Sequence, residues 1–289
     1  MGIKFKVVCP VALAVVMVSC GLKTGDSHII DGGITDKENA MWDVEEDTLM
    51  QTEEKLDLSE ESTPALDGVF NDFLFAYLHS RKLRQERTAS PLRLEHSERP
   101  AEMLEEFDPE FEFSFLSGEY FTTLYGNTSQ MRAEDEEELE EDSIVSLQRI
   151  NLNDGTIRNF QFIREEGRWR LEAIREATFD DDELNDFLSF YARFCADSTF
   201  QNHSIANPLH IVLQDPDNEE ESIDGIIDAD QWQTFCPEVP GGIISNIRKG
   251  QHYGQHRIVL RKSGLSNGLQ EVFTFTKERT GWRLSRYEN

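Results

Sequence analysis

The chain repeats itself. Asn71-Asp72-Phe73-Leu74 recurs as Asn185-Asp186-Phe187-Leu188. Further on, Phe160-x-Phe162-x-Arg164-Glu165-x-x-x-Trp169-Arg170-Leu171 matches Phe273-x-Phe275-x-Lys277-Glu278-x-x-x-Trp282-Arg283-Leu284 without a gap. Gly155 and Gly268 each stand five residues before the first Phe, and Pro91-Leu92 and Pro208-Leu209 fall in comparable places. From Asn71 to Trp169 is 98 residues and from Asn185 to Trp282 is 97. Ordered matches at nearly equal spacing imply a duplication with a period of about 113 residues, the length of a domain rather than of a solenoid unit.

Each copy opens on a helical pattern. Phe70, Phe73, Leu74 and Tyr77, and again Leu184, Phe187, Leu188 and Tyr191, fall at i, i+3, i+4 and i+7, one apolar face per helix. Asp180, Asp181 and Asp182 suit the start of the second helix, and Arg81, Lys82 and Arg84 the end of the first. Each copy closes on strands. Val145 and Leu147, Ile258 and Leu260, Phe160 and Phe162, Phe273 and Phe275, Trp169 and Leu171, and Trp282 and Leu284 alternate at period two. Short turns at Glu165–Arg168 and Glu278–Gly281 predict hairpins. The fold class predicted is α+β, with each module an N-terminal helix packed on a curved antiparallel sheet.

An aromatic-x-aromatic-x-basic-acidic strand, a turn and Trp-x-aliphatic, behind an amphipathic helix, resembles the NTF2-like (cystatin-like) fold. Over about residues 66–289 the chain is similar to a family of uncharacterised lipoproteins of gut anaerobic bacteria, classed only as a domain of unknown function and built of tandem modules of this kind. The resemblance implies two modules, at 67–178 and 179–289, and supplies no catalytic residue. Some enzymes of this fold, steroid isomerases and polyketide cyclases among them, use Asp, His or Tyr inside the cone. No motif places such a residue here, and fold alone does not give function.

The first residues read as an address. Lys4 and Lys6 precede a 12-residue apolar run, Val7–Val18, with the length of a signal h-region rather than of a membrane span. Ser19 then precedes Cys20 and Gly21, which resembles a bacterial lipoprotein signal spanning residues 1–19. Cys20 would carry the lipid and anchor the protein, with Met17 in the place more often held by Leu. The alternative is an ordinary secretory signal with an incidental Cys. No Asp follows Cys20, which by analogy with lipoprotein sorting favours the outer membrane, the protein facing the periplasm or the cell surface. Residues 20–66 are acidic, with sparse apolar residues and no sustained period, and predict a disordered, self-repelling tether.

The formal net charge of -28 argues against nucleic acid as a partner, since a phosphate backbone demands clustered cations. It argues equally against docking by charge on anionic lipid. Residues 134–142, eight acids in nine, read as a solvated loop, with a calcium site the alternative. Arg81, Lys82, Arg84, Arg87 and Arg93 form the one basic stretch, read as a solvated helix end or as a receiver for an anion or for the acidic tether. His252, Tyr253 and His256 sit among glycines and read as a loop. Trp169 and Trp282 read as core anchors. Cys195 and Cys236 invite a disulfide in an oxidising compartment, or remain two buried thiols. No metal, cofactor or catalytic set is expected. The expected function is therefore non-enzymatic binding of a small ligand or an envelope protein. An isomerase or hydrolase using one cone and a structural assembly subunit are the alternatives.

Overall fold

The computed structural model describes residues 66–136, 143–215, 218–235, 237–250, 252–264 and 268–289. The first half begins with α1 (Phe70–His79) and α2 (Arg81–Glu86), then β1 (Thr88–His96), β2 (Glu102–Leu104), α3 (Pro109–Glu112), a 3-10 turn (Ser114–Leu116), β3 (Tyr120–Tyr125) and α4 (Thr128–Asp135). It ends with β4 (Ile144–Asn151), β5 (Thr156–Glu165) and β6 (Arg168–Thr178). The second half runs α5 (Asn185–Ala196), α6 (Ser198–His203), β7 (Ile205–Asp215), β8 (Asn218–Ile227), α7 (Trp232–Phe235), β9 (Ile243–Arg248), β10 (Arg257–Gly264), β11 (Gln270–Glu278) and β12 (Gly281–Glu288).

The predicted local pieces form for the predicted reasons. The apolar stripe of α1 is buried on its sheet through Phe70, Phe73, Leu74 and Tyr77, and that of α5 through Phe187, Leu188, Tyr191 and Phe194. Asp182 accepts from the Leu184 amide at the head of α5. Glu166 and Gly167 both take positive φ (51° and 77°), the conformation a two-residue hairpin of right-handed twist requires between β5 and β6. Trp169 is fully buried and Trp282 nearly so.

Two six-stranded sheets result, ordered β2-β1-β6-β5-β4-β9 and β3-β10-β11-β12-β7-β8. The expectation of antiparallel sheets needs correction at one pair in each. β1 pairs with β6, and β7 with β12, in parallel. The chain leaves the first strand, builds the rest of its half and returns beside it, a connection long enough for parallel pairing. The registers of the halves correspond: Leu147 lies opposite Phe160 as Leu260 lies opposite Phe273. Bulges fall at Gln161/Phe162 and at the matching Thr274/Phe275.

The edge strands depart from a simple tandem. β9 of the second half adds to β4, and β3 of the first half adds to β10, so each sheet is completed by the other half of the chain. The cores follow. Ile247 packs among the aromatic residues of the first half, and Leu124 among those of the second. Where β3 meets β9 the two are not ladder partners, and hydroxyls satisfy the backbone instead. The Thr122 amide donates to Ser245 Oγ at 2.8 Å and Thr122 Oγ1 to the Ser245 carbonyl at 2.6 Å. The Ser245 amide donates back to Thr122 Oγ1 at 3.0 Å and Ser245 Oγ to the Thr122 carbonyl at 2.9 Å.

Candidate functional site

The concave face of each sheet is filled with rings. In the first, Phe162 meets Phe70, Phe73 and Tyr77 with centroids 5.4–5.9 Å apart, and Phe113 lies 4.7 Å from Phe160. In the second, Phe275 meets Phe187, Tyr191 and Phe194 at 5.4–5.5 Å, and Tyr287 meets Phe273 at 5.2 Å and Trp232 at 5.6 Å. These rings pack the helix of each half against its sheet.

Open space lies beside the first helix. A groove of about 670 Å³ is walled by Leu74, Phe75 and Leu78 of α1, Phe113 and Leu116 after α3, Phe121 of β3 and Ile247 of β9. Its wall is mainly apolar, and Phe75 is 66% exposed, its ring 4.3 Å from that of His79. A single exposed ring carries little meaning, but here the ring belongs to a continuous apolar wall, the arrangement that marks a binding surface. Charges stand at both ends. Arg84 donates to the Tyr77 and Leu78 carbonyls at the end of α1 and lies 3.6 Å from Glu110. At the other end Glu134 pairs with Lys249 at 2.9 Å and with Arg261 at 3.9 Å, and Arg261 also pairs with Asp135. Burial raises the Glu134 carboxyl, but its polar neighbours, Lys249 first among them and Arg261 least, together outweigh it and hold the group below its usual range.

Polar side chains gather one pleat beyond the rings, at the open end of each sheet. In the first sheet His96, Glu176, Arg158 and Arg149 stand opposite one another across β1, β6, β5 and β4. Arg158 bridges Glu176 at 2.5 Å and Glu112 of α3 at 2.7 Å, and His96 lies 3.0 Å from both Glu176 and Glu102. Burial raises the Glu112 carboxyl, with Arg158 and Arg149 opposing it only in part. The matching positions of the second sheet hold Lys262 and Glu271, a buried pair at 2.7 Å, with the Tyr287 hydroxyl 2.6 Å from Glu271. Burial and Glu271 push that phenol far above its usual range.

Two sequence expectations are corrected here. The basic stretch is a solvated helix end only in part: Arg81, Lys82 and Arg93 are exposed and Arg84 bonds the carbonyls at the end of α1, but Ser80 caps a second helix and Arg87 is buried against Asp67. The start of the acidic run is not a solvated loop: Glu134 and Asp135 end α4 and meet cations of the second half, while residues 137–142 lie outside the described residues. His252, Tyr253 and His256 do lie in a loop, and the Tyr253 hydroxyl accepts from Asn246 at 3.0 Å. Gly126 is required there, since a Cβ would lie 2.6 Å from the His252 carbonyl oxygen. Cys195 Sγ lies 3.4 Å from the Pro240 carbonyl oxygen, and burial pushes the thiol up to about 12. Cys20, Cys236 and the tether lie outside the described residues. Among the described residues no group of three or more His, Cys, Asp or Glu side chains is arranged to hold a metal ion. The mouth residues carry no sequence motif, and only the strand register assembles them; the groove is walled by α1 as well as by strands and includes Leu74 of the repeated motif.

The chain matches no curated protein. It is similar to the crystal structure of an NTF2-like protein from Bacteroides fragilis, with 28% identity and a TM-score of 0.67 over 77% of this chain and 96% of that one. That likeness agrees with the mixed α+β architecture and the two sheets described above. Residues 50–289 match the model of the family described as "Domain of unknown function (DUF4348)", and the chain therefore belongs to that family.

Proposed function

We propose that the protein is a lipid-anchored component of the cell envelope, built of two NTF2-like modules that exchange their third strands, and that it binds a small amphipathic ligand without catalysing a reaction. The observation that carries the binding role is the apolar groove beside interiors already filled with aromatic rings. About 670 Å³ is within the range of small-molecule sites, and an apolar wall with charges at its ends suits a molecule with an apolar body and a polar end. A second reading, an isomerase or hydrolase acting in one cone, is favoured by the Glu112 carboxyl, which burial raises at the mouth of the first sheet.

The groove is tested with anilinonaphthalene sulfonate as an apolar, singly charged probe. Wild-type protein is expected to bind it saturably, and Phe75→Glu, which puts a charge on the exposed wall, to weaken binding by about tenfold or more. Equal binding by the two proteins rules the groove out. The anchor is tested by mass spectrometry of the membrane fraction. The expected product begins at Cys20 and carries diacylglycerol, and an unmodified Cys20 or cleavage elsewhere rules the anchor out.

A further inference from the structure

We propose that the mouth of the first sheet is a second, separate site, which receives a small organic monocarboxylate on Arg149. The duplication supplies an internal comparison. In the second half, the cross-strand pair at this level is Lys262 opposite Glu271, a cation answered by an acid 2.7 Å away. In the first half the same two positions are Arg149 opposite Arg158. Like charges directly opposite on one face of an antiparallel pair repel, so the first half holds two cations where the second holds a cation and an acid, and of the two only Arg158 is ion-paired.

The local acids do not repair it. Glu112 and Glu176 bond to Arg158, and Glu176 is also shared with His96 and Arg99. Asp154 is held by Asn151 and Thr156, and Asp181 by Thr178 and Ser97. The Arg149 side chain forms no ion pair or hydrogen bond among the described residues; its charge acts on Glu112, which is itself bonded to Arg158, and its buried Nε, like that of Arg158, lacks an acceptor. A buried guanidinium nitrogen without an acceptor is costly, and a carboxylate matches its planar fork.

Space for the missing acceptor is present. A cavity of about 690 Å³ opens onto Arg149, Arg158, His96 and Glu176 and is bordered by Ile157 and Ala177. The charge of the acceptor is limited by its surroundings. One guanidinium, Arg149, has no direct acceptor, and Glu98, Asp154, Asp180 and Asp181 ring the opening, so a monoanion is favoured over a dianion.

The test titrates benzoate into the full chain and follows the Arg149 Nε–H resonance by NMR. A saturable shift is expected in wild type, at least about tenfold weaker binding in Arg149→Gln, and weaker binding of inorganic phosphate than of benzoate. Arg149→Lys keeps the charge without the fork and is expected to weaken benzoate binding while leaving the melting temperature unchanged. Should Arg149→Gln fail to fold, that variant carries the test. Phe75→Glu is expected to bind benzoate as wild type does, which separates this site from the groove. No saturable shift in wild type, undiminished binding by the Arg149 variants, or tighter binding of phosphate overturns the proposal.

Discussion

Asp67→Ala is expected to destabilise the protein by about 3–5 kcal/mol, because it leaves a buried guanidinium without its counter-charge. Asp67 is 2% exposed and takes Arg87 at both oxygens, at 3.3 and 3.0 Å. The same carboxylate accepts the Trp169 amide at 2.9 Å, while Arg87 donates to the Trp169 carbonyl at 3.1 Å. The pair therefore clamps the start of β6, where Trp169 enters the core, to the segment that leads into α1. Urea unfolding followed by tryptophan fluorescence is the measurement. At about 2 kcal/mol per molar urea, the midpoint falls by roughly 2 M. Replacing both partners with apolar residues, Asp67→Leu with Arg87→Met, is expected to recover most of the loss, since no orphaned charge remains. An unchanged midpoint in Asp67→Ala would show that the pair is not desolvated in solution.

That clamp also marks how far the sequence could be read. α1, α5 and the closing hairpins were legible because their determinants are local: a stripe at helical period, a turn, a Trp two residues before an aliphatic. Arg87 was not, because its acid lies 20 residues upstream in a stretch without periodicity. Glu134 reads as part of a solvated acidic run, and is drawn into ion pairs only because Lys249 and Arg261 arrive from the other half. The mouth sites fail for the same reason. Arg149 and Arg158 stand nine residues apart with no pattern linking them, and become a pair only through the register of β4 on β5. The exchange of β3 and β9 is the extreme case. Tyr120–Tyr125 has the composition of a strand, but nothing within it selects β10, more than 130 residues away, over the nearer β4.

Asn246→Leu tests that exchange, with an expected loss of about 2–5 kcal/mol from buried groups left without partners. Asn246 sits on β9 with no exposure. Its Oδ1 accepts the Leu124 amide of β3 at 2.8 Å, and its Nδ2 donates to Gln148 Oε1 of β4 at 2.8 Å and to the Tyr253 hydroxyl at 3.0 Å. One side chain thus ties together the two exchanged strands and the sheet that β9 completes. Because Leu124 belongs to the second core and Ile247 to the first, loosening the crossing exposes both interiors at once. Amide hydrogen exchange separates this from a local defect. Leu124 on β3 and Ile247 on β9 are expected to lose protection together in Asn246→Leu, with both sheets still unfolding in one urea transition. Loss of protection confined to β9 would mean that the halves hold their edge strands independently, and that the exchange contributes nothing to their cohesion.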